Sequence, residues 1–376
     1  MKRRDKVTGT IPRQGEDEKL DKTKWVLLFA AVACSLLLLS AQASAKMFSF
    51  KTSNEYSVDK DFKLTISNTS GDIKVEHYVG DKVILEVNKE VDAGSRDEAE
   101  KVADELDVTV NVDHKSIDID TRYPRGRHGD FWEKLFDWNS SNNCSVNYYL
   151  QVPTSLDLQI STTSGDITLT GLSGRGSVAA TSGDVDIDDF TGNLDAETTS
   201  GDIRFKDIKG DIDANSTSSD VLFESVTGNI NIKSTSGETE AHFVNGEFSV
   251  TKTSGDVTIE DVSGDIDIST TSGNIDIKQR EGGVFVSTAS GDVKVRSEMQ
   301  NGRRYEIETI SGNIDFAVPS EMKGHVKLET VSGTINTDLA IEVRSFNKKH
   351  FEGRIGGDGP DLRLSTTSGD ISLLGF

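Results

Sequence analysis

The chain of 376 residues carries 34 Gly, 5 Pro and only 7% aromatic side chains, a composition of tight turns and many strands rather than of a large aromatic-cored enzyme. Its 41 Lys and Arg stand against 63 Asp and Glu, and a nucleic-acid backbone or an anionic membrane surface would repel the resulting charge of -22. Two cysteines, Cys34 within an apolar run and Cys144 alone, exclude a disulfide framework and a thiolate metal cluster.

Residues 1–45 read as a secretory signal peptide or an N-terminal membrane anchor. Trp25 to Leu39 holds no charge, follows eight basic residues from Lys2 to Lys24, and runs into the small residues Ser40 to Ala45. Cleavage after Ala43 or Ala45 fits the A-x-A pattern. Uncleaved, the apolar stretch through Ala45 is close to the length needed to span a bilayer as a helix. Either way the basic leader stays inside and the chain from Lys46 is exported, to the periplasm or the cell surface. The exported part keeps 33 basic and 58 acidic residues, a net of -25. The setting of Cys34, followed by SLLLL, is a poor lipid-attachment context.

Residues 46–160 alternate apolar and polar side chains without a fixed period, over 63–67, 72–77, 82–90, 107–112, 116–121 and 146–152. They predict irregular β coils. Ser95 followed by Ala99, Val102, Ala103 and Leu106 predicts a short helix lying across the open end of the stack, where it would blunt exposed strand edges. Between 124 and 143, Phe131, Trp132, Leu135, Phe136 and Trp138 crowd together. A hydrophobic plug is the first reading of this cluster. An exposed contact is the second, and makes Phe131, Trp132, Phe136 and Trp138 the candidate partner-binding residues.

From 161 to 376 a repeat decides the fold. Gly165, Gly183, Gly201, Ser219, Gly237, Gly255, Gly273 and Gly291 are each 18 residues apart, mostly within Ser-Gly-Asp, and the marker returns at Gly312, Gly333 and Gly369. A fixed period of this kind marks a solenoid. Midway glycines from Gly174 to Gly282 divide each unit into two strands and two turns. Counting the marker as position 1, positions 3 and 5 are apolar (Val185 and Ile187, Val257 and Ile259), as are 12 and 14 (Ile212 and Ala214, Ile266 and Ile268). Position 8, with Leu172, Phe190 and Ile208, would fill the corner between the walls. One such unit cannot stand alone: five buried side chains contribute on the order of 10 kcal/mol against roughly 27 kcal/mol for ordering 18 residues. The expected architecture is therefore all-β, a single-domain parallel β-solenoid (β-helix) of 18-residue coils, right-handed, with one short helix besides the signal or anchor helix. Arg344–Pro360 reads as a loop beside the last rung, which is expected at Thr367–Ile371.

The side chains that could carry chemistry form columns. Position 2 holds Asp166, Asp184, Asp202, Asp220, Glu238, Asp256, Asn274 and Asp292. At about 4.8 Å spacing adjacent charges repel by roughly 1 kcal/mol in water and invite a counter-ion, so Asp166, Asp184, Asp202, Asp220, Asp256 and Asp292 are the candidate calcium ligands. The turns lack the GGxGxD of calcium β-rolls, however, and carboxylates accepting backbone N–H groups account for the column more simply. No other cofactor is implied. Thr181, Thr199, Thr217, Thr235, Thr253 and Thr271 make a second column. Hydroxyl pairing within the stack explains it better than an ice- or carbohydrate-binding strip. The six histidines share no spacing, no catalytic motif is present, and 18-residue coils are too short to build a polysaccharide-cleaving cleft. Cys144 reads as a buried small side chain.

The run Ser70-Gly-Asp-Ile-Lys-Val, the strand ending Tyr148-Tyr-Leu-Gln-Val-Pro153 and the Thr-Ser-Gly-Asp-Ile turns closing at Ile371 resemble the bacterial putative-adhesin family of β-strand-repeat proteins, over residues 50–376. The resemblance implies an exported β-helix with no catalytic residues to assign. The function expected is non-enzymatic binding of an envelope protein or glycan, or a structural role in the envelope. A calcium-dependent or glycan-binding solenoid and a degenerate polysaccharide lyase or hydrolase are the alternatives.

Overall fold

The computed structural model describes residues 46–123 and 144–376. The leader 1–45 and the aromatic segment 124–143, with Phe131, Trp132, Phe136 and Trp138, lie outside the described residues. Among the described residues no helix is long and apolar enough to cross a membrane.

Each 18-residue unit from 201 to 290 folds into two seven-residue strands, as in Ile203–Lys209 and Ile212–Ser218, while the two preceding units run as the single strands Ile167–Ser182 and Val185–Ser200, and each strand pairs in parallel with its equivalent one unit away. The register is 18 through the regular part but for one shift at Gln279: Val185 pairs with Ile203, Ile203 with Val221, Val221 with Thr239, Thr239 with Val257 and Val257 with Ile275. These residues stand in single file inside the first wall and are fully buried. Leu194, Ile212, Ile230, Phe248, Ile266 and Val284 form the facing file. Bulk is shared between the walls: Phe205 lies in the unit that carries Ala214, and Ala241 in the unit that carries Phe248.

Two backbone devices turn a strand pattern into a coil. The first is the marker turn, where the glycine N–H bonds the carbonyl of the residue before the next marker, as in Gly183 to Ser200 at 3.2 Å. The second is a left-handed residue at position 7. Asp189, Asp207, Ser225, Phe243 and Asp261 take φ between 53° and 59° there. This shifts the two-residue alternation by one, so that position 8 (Phe190, Ile208, Val226, Val244, Val262) returns inward and fills the corner. At Gln279 the device stops. Gln279 pairs with Val262 through a register shift, turns inward, and bonds the carbonyls of Gly264 and Gly283 at 2.8 and 2.9 Å.

At both ends the order of the rungs departs from the order of the chain. Phe62–Ser67 pairs with Ser116–Arg122 on one side and Ser155–Ser164 on the other, and Ile73–His77 lies between Cys144–Val152 and Ile167–Ser182. The coil of 62–77 is therefore inserted between two later coils. At the other end Ile371–Gly375 lies between Ile314–Val318 and Ile335–Thr337. The expectation that Thr367–Ile371 forms the last rung is thus corrected: the terminal rung is 324–337, and the chain's end slots beneath it. The expected loop at 344–360 is corrected as well, because Ile341–Asn347 and His350–Ile355 form an antiparallel hairpin whose second strand pairs with Gly324–Ser332. A hairpin ends the second wall where no further coil follows.

The helix Arg96–Glu105 begins at the Ser95 cap, whose hydroxyl accepts the Glu98 N–H at 3.3 Å, and buries Ala99, Val102 and Ala103. It packs on the strand Lys82–Ala93, which runs antiparallel to Cys144–Val152 and so extends the first wall. From that strand Lys89 reaches the carbonyls of Ala103 and Leu106 at 2.7 and 2.6 Å, meeting the negative end of the helix.

Candidate binding wall

The period that builds the core also aligns what faces water. Thr181, Thr199, Thr217, Thr235, Thr253 and Thr271, two residues before each marker glycine, are all exposed. Beside them runs a second outward column of Glu197, Asn215, Lys233, Thr251 and Ser269. The two columns border a shallow groove of about 580 Å³ that crosses five rungs, a length of about 20 Å at the spacing of parallel strands.

Hydroxyl pairing in the stack runs one residue earlier than expected. Three residues before the marker glycine, Thr162, Thr198, Ser216, Ser234, Thr270 and Thr288 point inward. Ser216 donates to Ser234 at 3.0 Å, while Ser234, Thr270 and Thr288 donate to the turn carbonyls of Ser236, Ser272 and Ser290 at 3.0–3.3 Å. The exposed threonines are left to present their hydroxyls to the groove.

One member of the inward column is a lysine. Lys252 is 4% exposed, and its Nζ donates to the carbonyls of Gly237 and Asp256 at 2.6 and 3.1 Å and to Thr239 Oγ1 at 3.3 Å. Burial outweighs the nearby Asp256, Asp220 and Glu238 and lowers its pKa to about 8. Below pH 8 the ammonium is charged both folded and unfolded, so the cost of burying it is felt in full. Between pH 8 and 10.5 the unfolded chain holds a proton that the folded chain has released, so stability rises with pH, by on the order of 3 kcal/mol. Lys252→Thr, which installs the residue of Thr270 and Thr288, should raise the melting temperature at pH 7 and flatten this alkaline gain. A variant that melts lower than the parent at pH 7 would count against the burial cost.

The position-2 carboxylates are occupied by the backbone. Asp166 Oδ1 accepts the N–H of Asp184 at 2.9 Å, Asp184 that of Asp202 at 2.8 Å, and Asp202 that of Asp220 at 3.1 Å. Asp256 accepts from Asn274 at 2.7 Å and Asp292 from Asn313 at 2.8 Å. Each carboxylate thus meets a donor from the next rung, worth more than the repulsion between neighbouring charges. The same contact, from the Thr334 N–H, holds Asp370 below the usual carboxylate range. Calcium needs six to eight oxygens. Among the described residues no group of three or more His, Cys, Asp or Glu is placed to hold a metal ion. The melting temperature should be the same in millimolar calcium and in chelator, and a calcium-dependent rise of several degrees would make Asp166, Asp184, Asp202, Asp220, Asp256 and Asp292 its ligands.

Among the described residues the histidines join no cluster. His242 lies 3.5 Å from Glu260 and 3.8 Å from Glu240 on the outer first wall, and His350 lies 3.1 Å from Glu329 in the terminal hairpin. Cys144 is half-buried, and burial pushes its thiol up, away from the reactive thiolate. Sequence reasoning does not reach a cavity of about 560 Å³ on the terminal sheet, because the basic, glycine-rich hairpin that forms it has the composition of a loop. Its cations are matched one by one, Lys327 with Glu329 at 2.8 Å, Arg354 with Asp358 at 3.5 Å, and Arg344 with Glu352 and Arg363 with Glu306 each at 3.6 Å.

Three crystal structures align over most of the chain at low identity. A putative cell adhesion protein from Clostridium sporogenes is 11% identical, covering 88% of this chain and 100% of its own, with a TM-score of 0.20. A putative adhesin from Bacteroides fragilis is 13% identical over 86% of this chain and 97% of its own, at 0.26. A putative lipid binding protein from Parabacteroides distasonis is 12% identical over 86% and 96%, also at 0.26. At these scores they assign no role to any residue here. No curated protein matches the sequence. The family profile described as Toastrack DUF4097 matches residues 54–245 and again 206–374, so that nearly the whole described chain is accounted for, and the protein belongs to the Toastrack DUF4097 family.

Proposed function

We propose that the protein is an exported, non-enzymatic binding or envelope-structural solenoid whose ligand is an extended glycan lying along the threonine groove. The observation that carries this reading is the alignment of Thr199, Thr217, Thr235, Thr253 and Thr271 on one exposed side of a groove crossing five rungs. A rung spacing of about 4.8 Å is comparable to the length of one sugar ring in an extended chain, so successive sugars would meet equivalent hydroxyls. The groove is shallow and open, which suits many weak contacts in series rather than the exclusion of water that catalysis requires. Glu197 and Lys233 lie on its far side, and the exported charge of -25 favours a neutral chain over an acidic one. Affinity electrophoresis through gels cast with neutral or acidic polysaccharides tests this. Retardation by a neutral polymer, abolished by Thr217→Arg with Thr253→Arg, is expected; migration unaffected by every polymer would refute it.

A further inference from the structure

We propose that the strand Lys46–Ser57 is a self-association edge, through which two copies of this chain join their first walls into one antiparallel sheet. The strand lies against Lys82–Ala93. Ser49 bonds Asn88 at 2.5 Å, Lys51 pairs with Glu86 at 2.8 Å and Lys82 with Glu55 at 2.9 Å, an antiparallel register that leaves its far edge without a partner among the described residues. An unpaired edge is a template for another strand, and proteins usually blunt it. The other three ends of the two walls are shorter or broken: Ile335–Thr337 has three residues, Ile341–Asn347 is broken by a register shift after Val343, and Asp107–Val112 has six residues. Lys46–Ser57 has twelve residues and no proline.

Its sequence complements itself. Antiparallel pairing about a two-fold axis through Thr52 keeps the inward residues on one face of the joint sheet and the outward residues on the other. It sets Phe48 opposite Tyr56 of the second copy, twice, and both side chains are only half-buried in the single chain. Aromatic pairs of this kind stabilise sheets. Lys51 then faces Ser53 and lies diagonal to Glu55, and no like charges oppose each other. With two Lys and one Glu the strand carries +1 in an exported chain of -25, so the edge itself adds nothing to the repulsion between two copies. Screening by salt should strengthen the dimer.

The test uses the full chain with its own leader, in a Cys34→Ser, Cys144→Ser background that removes both native thiols. Thr52→Cys places two thiols on the axis, within disulfide reach of one another in an antiparallel pair. Mild oxidation should give a covalent dimer from Thr52→Cys but not from the control Thr253→Cys. Ser53→Lys sets a lysine against Lys51 of the second copy twice, and should weaken dimerisation in sedimentation equilibrium about tenfold while leaving the melting temperature unchanged. Parental protein that sediments as a monomer at every concentration and salt, or crosslinking as ready at 253 as at 52, would overturn the proposal. Neither outcome depends on the glycan reading.

Discussion

Gly201→Ala should cost about 4 kcal/mol of stability, from a left-handed backbone that alanine resists and a clash that nothing can relieve. Gly201 has φ of 126°, and a Cβ there would stand 2.1 Å from the carbonyl oxygen of Gly183, 2.6 Å from its carbon and 3.0 Å from its nitrogen. All three are backbone atoms of the rung below, held by the ladder. Gly357 is the control: its φ is 125°, yet a Cβ there would meet nothing within 4 Å. Gly357→Ala should therefore cost only the conformational strain, about 1 kcal/mol. Denaturant titration of the two variants separates backbone strain from rung-to-rung contact. Equal losses would mean that the marker glycine serves the turn alone and not the stack. Ser219 shows how the chain tolerates an exception, since it does not take the left-handed φ and its buried hydroxyl goes without a partner.

That prediction explains why so much of the fold was legible. A glycine needed at each turn by the glycine beneath it imposes a period, and the period fixes which residues share a file: Val185, Val257 and Ile275 could be aligned by counting alone. The helix was legible for a similar reason, because Ser95, Ala99, Val102 and Ala103 signal a cap and a face within a dozen residues. Counting fails where pairing is not local. Nothing in the spacing of Ile314, Ile335 and Ile371 says that the last enters between the first two, since the three are equivalent as strand residues and only the completed stack distinguishes their neighbours. The hairpin at 341–355 was hidden by its basic, glycine-rich composition. The groove was half legible. The threonine column is visible in the spacing, but the hydroxyls that bond within the stack belong to the residue before each exposed threonine, and only the folded coil turns that residue inward to its turn carbonyl.

The second large effect lies in the core. Phe223 is fully buried, stacked on Phe205 with ring centroids 5.0 Å apart and planes 10° from parallel, and it meets Phe248 of the opposite wall edge-on at 5.9 Å. Phe223→Ala should cost about 3–5 kcal/mol, since the ladders above and below hold the walls apart and prevent the cavity from closing. Phe243→Ala, twenty residues on, should change stability little or raise it, because that side chain is 60% exposed and sits on a left-handed backbone. The two variants differ further in where the damage goes. In a stack of nearest-neighbour contacts, a lost side chain weakens its own rung and the adjacent ones first. Amide exchange in Phe223→Ala should therefore accelerate across 203–250 and remain at parental rates in Ile167–Leu172 and Ile314–Val318. Uniform acceleration from end to end would show that the solenoid opens as a single cooperative unit, and that the loss at Phe223 is shared by every rung rather than borne by three.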